Sequence, residues 1–168
     1  KLEFVRLIDR YGLRGALEEV EDVPCVSCEI SKLPRVDTMP EGVALCAAYL
    51  AEDGSIGLAW EGGVCTLTPM EAQMGGVSLE GKQLILHDSK TSMHRLEEMG
   101  IAFGECVFDT ALAAYDLNPS QSDYPVSKLA TNFLGASVLD EDAACCAEAL
   151  WNLRQSLTAE LEKNGMLA

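Results

Sequence analysis

A chain of 168 residues is the size of a single domain, and cores of this size bury roughly two-thirds of the unfolded surface. Its 48% hydrophobic and 23% charged residues exclude a disordered chain. Twelve Lys plus Arg against 27 Asp plus Glu give a net charge of -15 and a pI near 4.3, which argues against tight nucleic-acid binding by this chain alone, because Lys and Arg supply phosphate neutralisation.

The opening "KLEFVRLIDRYG" is charged and periodic rather than the apolar block of a signal peptide. Phe4, Leu7, Ile8 and Tyr11 fall at helical spacing, and Gly12 closes the segment. Leu13, Ala16, Leu17 and Val20 begin a second short turn or helix, so residues 1–22 read as a helical arm. A polar connector, 23–42, is broken by Pro24, Pro34 and Pro40. The body, 43–168, opens with three strand candidates, "VALCAAYLA", "SIGLAW" and "VCTLT". "EDG" and Gly62-Gly63 separate them as turns, which predicts an antiparallel meander. "KQLILHD" is a fourth strand, and its unbroken apolar centre predicts a buried, parallel position.

The period then becomes helical. Met93, Leu96 and Met99 line a helix that Gly100 ends, with Asp88 ahead of it as a cap. "CVFD" is a short buried strand, and Asp109 caps a helix that turns Leu112 and Tyr115 inward and stops at Pro119. Val126, Leu129, Ala130, Phe133 and Leu134 fit a helix template closed by Gly135. A long helix from Asp140 to Asn164 turns Ala143, Ala147, Leu150, Leu153, Leu157 and Leu161 inward. The predicted class is an α/β domain with a mixed sheet, a three-strand antiparallel meander followed by αβ units and flanked by helices. There is no internal repeat, and no apolar run approaches the roughly 18 residues of a membrane span.

Seven cysteines, an odd number scattered through apolar runs, point to a reducing, cytoplasmic setting. Cys25-x-x-Cys28 has the spacing of half a zinc site, but no second pair follows. Cys145 and Cys146 read as small core or groove fillers. Met70, Met74, Met93 and Met99 read as gap-filling core residues, and Trp60 and Trp151 as packing residues. Gly75-Gly76 is a further turn, and His87 and His94 are expected to be surface or satisfied histidines, with no nucleophile arranged around them.

"MGIAFGECVFDTALAAYDLNP" followed by "KLATNFLG" resembles the 3′–5′ exonuclease domain of bacterial DNA polymerase I, a family A polymerase. The opening "LEFVRLIDR" resembles that family's segment where the 5′-nuclease portion gives way to the large fragment. The likeness is strong from Leu84 to Gly135, fair in the arm and weak in the meander. It implies a ribonuclease-H-like exonuclease fold, and a chain that is an excised segment, consistent with the missing initiator Met. It also implies, as partners in the same polypeptide, a 5′-nuclease domain before Lys1 and a polymerase domain after Ala168. DNA is then met through the parent protein, weakly or not at all through this domain. Mg²⁺ is expected for the parent polymerase, and no cofactor for this domain.

Active members cleave phosphodiesters with two dications ~3.5–4 Å apart, which demands clustered carboxylates. The family's first strand supplies Asp-x-Glu; the matching stretch "VALCAAYL" puts Cys46 and Ala48 there and has no acid. The family's second-motif Asp falls on Ser92. Its Tyr-x-x-x-Asp on the last helix falls on Asp142 and Cys146. All four metal-binding acids are lost in this reading, and the expectation is an inactive, vestigial exonuclease domain acting as a structural module in replication and repair. Two alternatives stand beside it: an active proofreading nuclease using displaced ligands such as Asp53, Asp88 or Asp142, and an acidic domain that binds a basic protein partner.

Overall fold

The computed structural model describes residues 32–166. The arm at 1–22, Cys25-x-x-Cys28 and the first part of the connector lie outside the described residues.

Five strands form one sheet in the order β3-β2-β1-β4-β5. β1 (Leu45–Leu50) pairs antiparallel with β2 (Ile56–Trp60), and β2 antiparallel with β3 (Gly63–Leu67), which is the predicted meander. β4 (Leu79–Leu86) lies parallel to β1, and β5 (Phe103–Asp109) parallel to β4. A parallel strand covered on both faces reads as a continuous apolar run, and Leu84, Ile85 and Leu86 of β4 are all fully buried. The described part of the connector is not free of the sheet. Val36 N–H donates to Val64 O, and Val64 N–H to Pro34 O, both at 2.9 Å, along the β3 edge.

Helices cover both faces. A short α1 (Pro69–Gln73), absent from the sequence expectation, is held by a capping box between Thr68 and Glu71. α2 (Ser89–Glu98) starts at the Asp88 cap, and Gly100 follows it at a φ of +71°. α3 (Thr110–Leu117) starts at the Asp109 cap. α4 (Val126–Leu129) runs into a π-helical turn, Ala130–Leu134, ended by Gly135 at a φ of +62°. α5 (Ala143–Lys163) buries all six of its predicted inward residues.

Strand alternation divides the core in two. Ala47, Ala59 and Ile85 meet α5, α3 and α4 on one face, and Cys46, Ala48, Leu58 and Leu84 meet α2 through Leu96 on the other. Trp60 is buried and Trp151 partly so, as packing residues.

Four sequence expectations are corrected. Leu112 and Tyr115 are 58% and 50% exposed; Ala113 and Ala114 face inward instead, because α3 packs closely against α5 through small side chains. Met70 and Met74 are 71% and 80% exposed, since α1 buries only Ala72. Met93 and Met99 do pack against the core. The single helix expected over 126–134 breaks into an α and a π segment that leaves Phe133 half-buried. The last helix begins at Ala143 rather than Asp140, because Asp142 accepts the Cys145 N–H as its cap.

Candidate functional site

The carboxyl ends of parallel strands are where sheets of this kind present their chemistry. Here the ends of β1 and β4 lie beside the amino end of α5. Tyr49, near the end of β1, donates its hydroxyl to Asp140 O at 3.4 Å. His87, just past β4, approaches Thr110 of α3 with Nδ1 at 2.9 Å from Oγ1. Thr110 Oγ1 donates to Leu86 O at 3.3 Å, which leaves it to accept from the His87 Nδ1–H. Burial holds the His87 pKa below the ordinary value, against the pull of Asp109, Asp88 and Asp140.

The sequence-derived positions do not converge. Cys46 and Ala48 are fully buried on the α2 face, whereas Cys146 is fully buried on the α5 face. The sheet itself separates them. The β1 residues directed at α5 are Ala47 and Tyr49, one step along the strand, because a one-residue shift exchanges faces. Ser92 sits in the first turns of α2 and donates its hydroxyl to His87 O at 2.7 Å. Asp142 is occupied three times over, by the Cys145 N–H and thiol at 3.1 Å each and by Arg35 at 2.9 Å. The Cys145 N–H, its thiol and the guanidinium outweigh desolvation and hold the Asp142 carboxyl at about 2.

Tyr49 was not singled out by the sequence, yet it stands where α5 and β1 meet. Burial first, then Cys146 and Asp140, pushes its phenol up to about 12. Burial also pushes the Cys146 thiol up to about 12, and that thiol donates to Leu139 O at 3.4 Å. Both groups are therefore neutral near pH 7. Outside them lies an open cleft of about 370 Å³ bounded by Tyr49, Ala51, Glu52, Asp53, Asp140 and Glu141. Arg95 does not neutralise this acidic rim by a direct pair; its guanidinium donates to the carbonyls of Leu50 and Ala51.

The displaced carboxylates have local duties. Asp53 accepts from Ser55 N–H and Oγ at 2.9 and 2.6 Å, Asp88 caps α2, and Asp142 caps α5. Among the described residues, no group of three or more His, Cys, Asp or Glu is placed to hold a metal ion. A hard dication takes anionic oxygen ligands. Ala47, the neutral Tyr49 phenol, the neutral Cys146 thiol and a Ser92 hydroxyl committed to His87 O do not form such a set.

No family model matches the chain, and no curated protein matches it. Solved structures do. The polymerase domain of Pol1 from M. smegmatis, in complex with DNA primer-template and dNTP, has a TM-score of 0.54 at 23% identity over 71% of this chain. The match spans 24% of that polymerase chain. Brucella melitensis NrnC with bound Mg²⁺ has a TM-score of 0.60 at 13% identity, covering 80% of this chain and 82% of NrnC. The Aedes aegypti Nibbler EXO domain has a TM-score of 0.52 at 11% identity, covering 84% of this chain and 99% of that one. The fold is thus ribonuclease-H-like, of the exonuclease type. Among the described residues no helix is long and apolar enough to cross a membrane.

Proposed function

We propose that this chain is a catalytically inactive 3′–5′ exonuclease-like domain that serves as a structural module of a cytoplasmic, bacterial DNA polymerase I. The observation that carries the reading is the donor set at the sheet edge. β1 carries no carboxylate on either face, and the groups facing α5 are a methyl and an un-ionised phenol. The likeness to a mycobacterial polymerase chain and to two nucleases supports the exonuclease-type ancestry.

In this proposal the lost acids of the first strand correspond to Ala47 and Tyr49, because only that face of β1 meets Cys146 of α5. With no pair of dications, nothing activates a water or stabilises a leaving oxygen, so the domain needs no cofactor. Its role is to join a 5′-nuclease domain and a polymerase domain of one polypeptide, with Mg²⁺ acting in the latter and DNA met through the parent. Incubation of the purified chain with end-labelled single-stranded DNA and Mg²⁺ or Mn²⁺ tests this. No shortening is expected; processive loss of 3′ nucleotides, abolished by EDTA, overturns it.

The charge of -15 favours one further reading, an acidic surface for a basic protein partner. The two separate on the gene: a reading frame that ends near Ala168 with no polymerase sequence after it favours the second.

A further inference from the structure

At the opposite edge of the sheet, the amino ends of the parallel strands, the alternation of β4 is broken. Leu79 is buried, Glu80 and Gly81 are exposed, and Lys82 is buried. The pairing with β5 shifts between Leu79 and Gln83, and Gly81 holds a φ of +70°, a conformation open to glycine. β4 spends four residues between these pairings where β5 spends two, and such a bulge breaks the strict alternation of facing. Strict alternation from Leu79 would send Lys82 outward; the bulge turns it inward, on the side of Leu84 and Leu86.

Lys82 is 7% exposed. Its ammonium donates to Val43 O at 2.6 Å and Glu41 O at 3.1 Å. No carboxylate among the described residues pairs with it. An ammonium carries three donors, and two are taken by carbonyls. The remaining one has no acceptor among the described residues, and Lys82 lines a cleft of about 560 Å³ together with Thr38, Glu41, Ser78 and Glu80. Fastening two carbonyls does not by itself account for this arrangement. A neutral amide side chain would do so without taking a charge out of water, which is costly when no counter-ion is at hand.

We propose that this cleft binds a small zwitterion, a free α-amino acid, whose carboxylate pairs with Lys82 and whose ammonium meets the rim carboxylates of Glu41 and Glu80. The cation on the floor selects an anionic end, and the two glutamates select against polyanions such as phosphate. The site is independent of the exonuclease-type edge, which lies at the other end of the strands.

The test titrates the purified chain with glycine, acetate, methylamine and inorganic phosphate, following amide shifts of residues 75–82 in ¹H–¹⁵N spectra. Glycine is expected to give a saturable response, acetate a response about tenfold weaker, and methylamine and phosphate none. Lys82→Met, with an unchanged far-UV spectrum, is expected to weaken glycine about tenfold or more. Should that variant not fold, Glu80→Gln decides: it is expected to weaken glycine without weakening acetate. No saturable response to glycine, or equal glycine affinity in either variant, overturns the proposal.

Discussion

Asp109 joins two helices to one strand end. Its Oδ2 accepts the Ser89 N–H at the start of α2 at 2.7 Å, and its Oδ1 accepts the Ala111 and Leu112 N–H groups of α3 at 2.9 and 3.2 Å. Burial opposes ionisation here, but the Ser89, Leu112 and Ala111 donors prevail and hold its carboxyl below the ordinary range. Asp109→Ala removes a cap and strands a half-buried N–H, so it is expected to cost about 2–3 kcal/mol. Asp109→Asn, which keeps an acceptor, should lose about half of that. Urea unfolding at pH 7 measures both; an Asp109→Ala chain as stable as wild type would remove the junction from the account.

Part of that junction was legible in advance. An Asp between an apolar strand and a helical period announces a cap, and a continuous run such as Leu84–Leu86 announces a central parallel strand. The Ser89 half of the contact spans two elements and has no local signature. Side-chain facing failed for a related reason. α3 offers both Leu112 and Ala113 to the core, and only the close approach of α5 decides that the alanines go in. In β1 nearly every residue is apolar, so alternation could not say whether Cys46 and Ala48 or Ala47 and Tyr49 face the last helix. The sheet's second covered face erases the polar side that would have fixed the register.

That register is testable by rebuilding the acids. Ala47→Asp, Tyr49→Glu, Ser92→Asp and Cys146→Asp together place carboxylates on the α5-facing side of β1, on α5 and in the first turns of α2. This quadruple variant is expected to stay folded in Mn²⁺ and to show a saturable Mn²⁺-dependent rise in Tm that the wild type lacks. Cys46→Asp with Ala48→Glu buries two acids among Leu58, Leu84 and Leu96 instead. It is expected to lose at least about 3 kcal/mol, and Mn²⁺ should not rescue it. Rescue of the second variant, and not the first, would return the site to the other face.

His87 gives the fold a pH dependence with a definite sign. Burial lowers its folded pKa below the unfolded value near 6.5, despite Asp109, Asp88 and Asp140 nearby. The unfolded chain therefore binds the proton more readily. The contribution is complete above about pH 6.5 and is lost as pH falls from there through the folded pKa. One group can supply a slope of at most about 1.4 kcal/mol per pH unit. Denaturant unfolding of wild type and His87→Gln between pH 5 and 8 isolates it. The variant is expected to be flatter on the acid side; identical slopes would mean that His87 is as free to charge in the fold as outside it.

α5 can reach the sheet edge only because β2 has no side chain at one point. A Cβ at Gly57 would run into the carbonyl of Ala143, the first residue of α5. Backbone on both sides of the contact leaves no flexible atom to yield. Gly57→Ala is expected to cost about 2–3 kcal/mol. It should also displace the amino end of α5, which carries the Asp142 cap and Cys146, seen as amide shift changes at residues 140–147. Gly42→Ala is the control: nothing lies within 4 Å of a Cβ there, and a change within about 0.5 kcal/mol is expected. If Gly57→Ala were as silent as Gly42→Ala, α5 would have to sit farther from β2. Tyr49 and Cys146 would then no longer be shielded enough from water to keep their protons so firmly.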